Sequence, residues 1–163
     1  MLSCAQPYPI CLGGTSLRIL LIDDSPIALR ALRTVLGLNT NWEIVGQAEN
    51  GHEGLRLFRD LQPDVVIVDF QMPGMSGIEV GREIRRTGSS VLLLLFTLHA
   101  GSHLDQVARE AGFDGVFSKT AAYPIVAIIE KMRPADLART TPEEATPEVQ
   151  RDIKAQGQSQ ARG

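Results

Sequence analysis

The chain has 163 residues, of which 44% are apolar, and a formal net charge of −3 at pH 7. It can therefore bury the core of one ordinary globular domain, while its small charge and scattered basic residues argue against direct binding of nucleic acid or an anionic membrane. The longest apolar run, Val91 to Phe96, is far shorter than the roughly 20 residues of a bilayer span, and we expect a cytoplasmic protein without a membrane segment.

The first sixteen residues have no Lys or Arg, and Pro7 and Pro9 interrupt them, so they lack the pattern of a signal peptide. They include Cys4 and Cys11, the only cysteines, whose spacing is a weak signal for a metal site or a disulfide. We expect residues 1–16 to be a flexible leader with unpaired thiols.

From Leu17 to Met132, short apolar runs alternate five times with segments of helical period. The first predicted strand, Leu17 to Ile22, precedes a helix that Ser25 can cap and that has Pro26 at its first position. Three apolar pairs predict the buried side of this helix: Ile27/Ala28, Ala31/Leu32 and Val35/Leu36. The next strand, Trp42 to Ala48, alternates in a way that is typical of a partly exposed edge strand.

The other repeats keep the same order of strand and helix. The runs Val65 to Val68 and Val91 to Phe96 are wholly apolar, which predicts strands covered on both faces. The remaining predicted elements are a helix over Gly54 to Leu61, a helix over Gly77 to Arg86, a helical stripe from Leu104 to Ala111, a strand over Val116 to Ser118 and a helix over Ala121 to Met132. This alternation predicts an α/β domain with a parallel sheet and covering helices over residues 17–133.

After Pro134 the composition changes to Thr, Pro, Glu, Gln and Ala, with few large apolar residues. Such a segment cannot bury enough surface to order itself, so we expect residues 134–163 to be a disordered tail. The tail also lacks a helical pattern for a DNA-binding output domain, which predicts a stand-alone domain.

Four of the predicted strands are followed by polar residues with chemical use: Asp23 and Asp24, Asp69, Thr97, and Lys119. These strand ends should meet in one crevice of an open parallel sheet. Carboxylates gathered there repel, because a like-charged pair at about 4 Å costs roughly 4 kcal/mol at an effective dielectric constant near 20. Lys119 supplies one positive charge, and Mg²⁺ suits the rest, since it prefers oxygen ligands and phosphate.

Asp69 is placed to act as a nucleophile toward a phosphoryl group, because it ends a rigid central strand. Lys119 would neutralise charge on the transferring oxygens, and the Thr97 hydroxyl could donate a hydrogen bond to one of them. Singly, these residues also have ordinary explanations as helix caps or a surface lysine, and only their joint placement indicates chemistry.

Four segments together resemble the receiver domain of bacterial two-component response regulators. They are I-L-L-I-D-D-S-P (19 to 26), V-I-V-D-F-Q-M-P-G-M-S-G (66 to 77), L-L-F-T (94 to 97) and A-G-F-D-G-V-F-S-K-T (111 to 120). The resemblance, in particular to stand-alone chemotaxis receivers, implies a flavodoxin-like doubly wound (βα)5 fold with a five-stranded parallel sheet of order 2-1-3-4-5. It implies a signalling switch that catalyses only its own phosphotransfer and dephosphorylation.

The resemblance also implies roles for single residues. Asp69 would be the phosphoacceptor, and Lys119 would contact both the phosphoryl group and the Asp69 carboxylate. Asp24 and Asp69 would bind Mg²⁺ directly, Asp23 would act through water, and the backbone carbonyl of Gln71 would be the third protein ligand.

Thr97 would report phosphorylation, but its surroundings depart from the family pattern. Leu98 is bulky where most receivers have a small residue, so we expect slower phosphotransfer and slower hydrolysis. Val116 stands where an aromatic switch residue is usual, with Phe117 one place further along, and this puts the threonine–aromatic coupling in doubt. His99 occupies a position that tunes phosphoryl lifetime in the family.

The expected partners are a sensor histidine kinase or phosphotransfer protein and an output protein that contacts residues 102–132. A homodimer that forms on phosphorylation is a further option. Two alternatives stay open. One is a pseudo-receiver that binds partners without phosphorylation, suggested by Leu98 and Val116. The other is a haloacid-dehalogenase-type phosphatase, which requires an aspartate two places after Asp69, where this chain has Gln71.

Overall fold

The structure is a computed structural model that describes residues 16–98, 101–120 and 123–132. The tail, His99 and the leader with Cys4 and Cys11 lie outside these residues, apart from Ser16. In the described residues the elements are, in chain order, β1 Leu17–Ile22, α1 Pro26–Leu36, β2 Trp42–Ala48, α2 Gly51–Leu61, β3 Val65–Asp69, α3 Gly77–Arg86, β4 Leu92–Thr97, α4 Ser102–Glu110, β5 Gly115–Ser118 and α5 Tyr123–Met132. None of these helices is long and apolar enough to cross a membrane.

The strands form one parallel sheet of order β2-β1-β3-β4-β5, which confirms the predicted fold class and strand order. The strand β3 lies in the middle and pairs with β1 and β4, while β2 and β5 form the edges. Because all five strands are parallel, their carboxyl ends lie along one side of the sheet, which we call its carboxyl edge. Ligands bind at this side in folds of this kind.

The sheet separates two apolar cores. On one face, alternate residues of the strands pack with α2, α3 and α4, and on the other face the remaining residues pack with α1 and α5. In β3, for example, Val66 and Val68 belong to the first core, whereas Val65 and Ile67 belong to the second. Because successive side chains of a strand point to opposite faces, a wholly apolar strand is buried on both sides, as its sequence predicts.

The buried side of α1 differs from the prediction. Leu29, Leu32 and Leu36 are buried, whereas Ile27 is 81% exposed and Ala31 is exposed. The buried leucines lie at i, i+3 and i+7, the spacing of one line along a helix. The predicted pairs placed the apolar stripe too far around the helix, and they left out Leu29.

The helix α2 begins three residues before the predicted start, at Gly51, because Asn50 caps it by accepting a hydrogen bond from the Glu53 N–H.

The start of α3 is held by a capping box: the Ser76 side chain accepts from the Glu79 N–H, and the Glu79 carboxylate accepts from the Ser76 N–H. Hydrogen bonds from Ser76 lower the pKa of Glu79. The capping box fixes where the loop after β3 ends.

Gly77, the first residue of α3, lies directly against the end of β3. Its N–H donates to the Phe70 carbonyl at 3.0 Å, and a Cβ at this position would overlap the carbonyl oxygen of Asp69. Only glycine permits this approach of the helix to the strand.

We therefore expect Gly77→Ala to lower the free energy of unfolding by about 2 kcal/mol, because the methyl group must displace backbone. Urea unfolding measures this change. Gly101→Ala is the matched control, since a Cβ at position 101 meets nothing within 4 Å. Equal losses in the two variants would contradict the steric account.

Candidate functional site

The crevice at the carboxyl edge of the sheet contains an ammonium group between two carboxylates. Asp23 follows β1, Asp69 ends β3, and Lys119 follows β5. The Lys119 Nζ lies 2.7 Å from Asp23 Oδ2 and 3.1 Å from Asp69 Oδ1, with the Lys119 side chain 12% exposed. Three separate segments of the chain thus meet in one shielded ion cluster.

Three carboxylates of this crevice are close enough to share one cation. Asp23, Asp24 and Asp69 each place an oxygen within 4.8 Å of the others. Asp23 and Asp69 are buried and Asp24 is exposed, so the group opens to solvent on one side. Hard oxygen donors beside an open position are the ligands that Mg²⁺ prefers, so the residues fit such an ion.

Asp23 is oriented by the backbone of the turn that follows it. Its Oδ1 accepts a hydrogen bond from the Ser25 N–H at 2.9 Å, while its Oδ2 contacts Lys119. Ser25 in turn caps α1 by accepting from the Ala28 N–H. The start of α1 and the position of the Asp23 carboxylate are therefore set by the same turn.

Burial and the neighbouring groups together set the pKa values of Asp69 and Lys119. Burial raises the pKa of Asp69, Lys119 lowers it, and the charge of Asp23 raises it again, so that the pKa of Asp69 lies above its ordinary value. Burial lowers the pKa of Lys119, but hydrogen bonds and charges from Asp23 and Asp69 raise it by more. Lys119 therefore stays protonated at neutral pH.

Gln71 and Thr97, which the sequence also predicts to belong to the site, each contact the ion cluster through a backbone group. The Gln71 N–H donates a hydrogen bond to the Asp69 carboxylate. Thr97 is the last residue of β4 and is buried, and its carbonyl accepts from the Lys119 N–H at 2.7 Å. The second contact fixes the backbone from which the Lys119 side chain starts.

Two of the residues expected to affect switching, Leu98 and Val116, lie in the part of the chain that the structure describes. Leu98 follows Thr97 and is 60% exposed. Val116 packs with the core on the α3 and α4 face of the sheet, whereas Phe117 packs with the core on the α1 and α5 face. Phe117 therefore lies on the opposite face from the position that an aromatic residue at 116 would occupy.

Sequence reasoning missed two features around Lys119. The Lys119 Nζ lies 5.8 Å from the centre of the Phe96 ring, within the range of a cation–π contact. The hydroxyl groups of Ser118 and Thr120 are 2.7 Å apart, and the Thr120 N–H donates to Ser118 Oγ. Ser118 and Thr120, one on each side of Lys119, could have indicated such a turn from the sequence. The contact between Phe96 on β4 and Lys119 after β5 has no signal in the sequence.

Comparison with known proteins identifies the class to which this fold and crevice belong. The family model of the response regulator receiver domain matches residues 19–130, and the chain belongs to this family. Proteins of the family take part in two-component signalling, and their receiver is a signalling domain and not a typical enzyme.

Several curated relatives carry regulator names. The chain is 32% identical over 103 residues to a nitrate/nitrite response regulator protein homolog of Haemophilus influenzae, covering 63% of this chain and 50% of that one. It is 29% identical over 133 residues to the nitrate/nitrite response regulator protein NarL of Escherichia coli K12, covering 80% and 56%. The chain spans about half the length of the curated relatives it matches.

Solved structures show the same fold. The receiver domain of the putative response regulator NarL from Mycobacterium tuberculosis has a TM-score of 0.66 and 28% identity, with 72% of this chain and 98% of that chain covered. A LuxR-family two-component response regulator from Aurantimonas sp. SI85-9A1 has a TM-score of 0.68 and 35% identity, with 71% and 84% covered.

The raised pKa of Asp69 has a consequence for stability. The folded state holds this proton more tightly than the unfolded state, so stability falls as the pH rises through the pKa of the folded state and stays lower above it. We expect Asp69→Asn to raise the free energy of unfolding at pH 7 by roughly 1 kcal/mol, because it removes a charge that is desolvated by burial and that the charge of Asp23 also disfavours.

Urea unfolding of both forms at several pH values checks this expectation. The gain should shrink as the pH falls toward about 4, where the aspartate also becomes neutral in the unfolded chain. A gain that stays constant with pH, or a loss of stability at pH 7, would show that the charge of Asp69 is not the cause.

Proposed function

We propose that this chain accepts a phosphoryl group on Asp69 from a histidine kinase or a phosphotransfer protein, in the presence of Mg²⁺, and switches a protein-interaction surface in response. The observation that carries the proposal is the single crevice in which Lys119 contacts both Asp23 and Asp69. We assign the receiver unit to residues 17–133.

In this proposal Asp69 is the nucleophile. One of its carboxylate oxygens forms a bond to phosphorus while the bond from phosphorus to the donor nitrogen breaks, and no side chain has to remove a proton from the carboxylate. The Gln71 N–H and the Lys119 ammonium hold the carboxylate in one orientation. Lys119 then pairs with the negative charge that arrives on the phosphoryl oxygens.

Bound Mg²⁺ would neutralise charge on the transferring oxygens. Asp24, Asp69 and the Gln71 carbonyl would hold it, and Asp23 would act through water. The exposure of Asp24 supports this division of roles, because a solvent-facing carboxylate can take up an ion directly, whereas the buried Asp23 already pairs with Lys119.

The proposed output surface is the region 102–132, which follows Thr97 along the chain. In the active arrangement the Thr97 hydroxyl donates a hydrogen bond to a phosphoryl oxygen, and α4, the next described element after Thr97, shifts in response. Val116 stands where an aromatic switch residue is usual and packs with the core on the α3 and α4 face, so no aromatic side chain at this position couples to Thr97. A homodimer formed through this region on phosphorylation is a further candidate.

The output is either a contact made by a stand-alone receiver or a transcriptional response. A transcriptional output is favoured by one relative, named a transcriptional activator protein, ExaE of Pseudomonas putida, to which the chain is 37% identical over 108 residues, covering half of that protein. In the stand-alone case the receiver contacts an output protein and no nucleic acid directly. Footprinting on DNA with and without phosphorylation distinguishes the two.

The direct test of phosphorylation uses a small acyl phosphate. Incubation with Mg²⁺ should increase the intact mass of the chain by one phosphoryl group, and chelation of the metal or Asp69→Asn should abolish the increase. Lys119→Arg keeps the charge but changes its geometry, and we expect roughly tenfold slower modification.

An unmodified wild-type chain that still binds its partner would favour the pseudo-receiver. Steady release of phosphate from phosphate esters would favour the phosphatase. Either result would overturn the proposed function.

Leu98 provides a test of phosphoryl lifetime. Its exposed side chain follows Thr97, where it can shield the phosphoryl group from attacking water. We expect Leu98→Ala to speed the loss of phosphate by roughly threefold to tenfold, measured as the decay of the phosphorylated mass after the donor is removed.

Leu38→Ala is the matched control, because Leu38 is also an exposed leucine but lies after α1, near the amino ends of the strands and away from the crevice. An equal change in both variants, or none in Leu98→Ala, would exclude the shielding role.

A further inference from the structure

We propose that Phe96 is a positioning residue for phosphotransfer, whose ring face attracts the Lys119 ammonium and holds it over the end of β4. This inference rests on the proposed role of Lys119. It adds Phe96, which the proposed function does not include. Phe96 has no titratable or metal-binding group, so its part can only be indirect.

The position of Phe96 in the sheet puts its ring beside the ion cluster. In the strand register Phe96 pairs with Asp69 on one side and with Phe117 on the other. Phe96 and Phe117 pack with the core on the α1 and α5 face, and the alternation of β3 directs Asp69 to the same face. The Lys119 side chain must pass this row of residues to reach Asp69.

The ring is held rigidly. Phe96 is 4% exposed, and its carbonyl accepts a hydrogen bond from the Phe70 N–H at 3.2 Å. A ring that is buried in a close-packed core cannot rotate away from the ammonium without opening a cavity. The flexible partner of this contact is therefore Lys119, and the ring limits where its ammonium can lie.

The contact has a use that the two carboxylates cannot supply. Asp69 gives up a carboxylate oxygen to phosphorus during the reaction, and a bound cation competes for the charge of Asp23, Asp24 and Asp69. The attraction of a ring face for a cation persists while these oxygens are engaged. Phe96 thus keeps Lys119 in place when its ion pairs are weakest.

The strength of the Phe96 contact relative to the two ion pairs of Lys119 decides when loss of the ring changes the rate of modification. With both carboxylates available, the ion pairs at 2.7 and 3.1 Å dominate over a ring contact at 5.8 Å. Weakening the ring contact should then leave Lys119 between Asp23 and Asp69 in the unphosphorylated protein, although Phe96→Leu also lowers stability because it opens a cavity in the core. The effect of the lost contact should appear in the rate of modification with Mg²⁺ present.

The test replaces the ring in two ways. Phe96→Leu removes the ring and keeps apolar bulk, whereas site-specific replacement of Phe96 by di- and trifluorinated phenylalanine keeps the ring and weakens its negative face. We expect the rate of modification by a small acyl phosphate with Mg²⁺ to fall roughly threefold to tenfold in Phe96→Leu, and in graded steps with each added fluorine. The melting temperatures of the fluorinated forms should match the wild type.

Phe58→Leu is the control for loss of a buried ring, because Phe58 lies in α2 within the core on the other face of the sheet. It should react at the wild-type rate. A nuclear magnetic resonance signal gives a second reading: the ε-methylene protons of Lys119 should be shifted by the Phe96 ring in the wild type and should lose that shift in Phe96→Leu.

Two results would overturn the inference. If the fluorinated forms react like the wild type while Phe96→Leu is slow, the ring acts only through its bulk. If Phe96→Leu reacts like the wild type, Phe96 has no part in the reaction. Both differ from a failure of the proposed function, in which the wild-type chain itself takes up no phosphate.

Discussion

The interaction on which the crevice depends is the ammonium of Lys119 between the carboxylates of Asp23 and Asp69. Without it, two buried carboxylates would face each other at the end of the sheet, a charge arrangement that folding can tolerate only with a cation present. Lys119 stabilises the two buried carboxylates, and in the proposed reaction it also supplies the positive charge that pairs with the phosphoryl oxygens. One side chain thus satisfies the demands of folding and of the proposed chemistry.

The geometry of this contact follows from the parallel sheet. Since all carboxyl ends lie at one edge, residues that are about a hundred positions apart in the chain come within hydrogen-bond distance. The turn at Ser25, the glycine at 77 and the backbone bond from Lys119 to Thr97 then fix how each of these ends leaves the sheet. The core fixes the carboxyl ends of the strands, and these local contacts orient the side chains of Asp23, Asp69 and Lys119.

The strand order was implied by the resemblance to receiver domains, and the sheet confirms it. The meeting of Asp23, Asp69 and Lys119 followed from the residues themselves, because polar residues that end parallel strands collect at one side of an α/β sheet. The sequence was insufficient for the rotation of α1, where adjacent apolar pairs left the buried line ambiguous by one residue and Ile27 proved to be exposed. Phe96 was out of reach for a different reason. A contact between a ring on β4 and an ammonium after β5 depends on the register of two strands, which apolar runs do not specify.

In the proposed function the acidic crevice places a phosphoryl group on Asp69 and on no other aspartate. Reduction of the acyl phosphate with borohydride, followed by peptide mapping, tests it most directly, because this chemistry converts only a phosphorylated aspartate to homoserine. We expect homoserine at position 69 and at no other position after treatment with a histidine kinase or a small acyl phosphate. Homoserine at Asp23 or Asp24, or at none of the three, would contradict it.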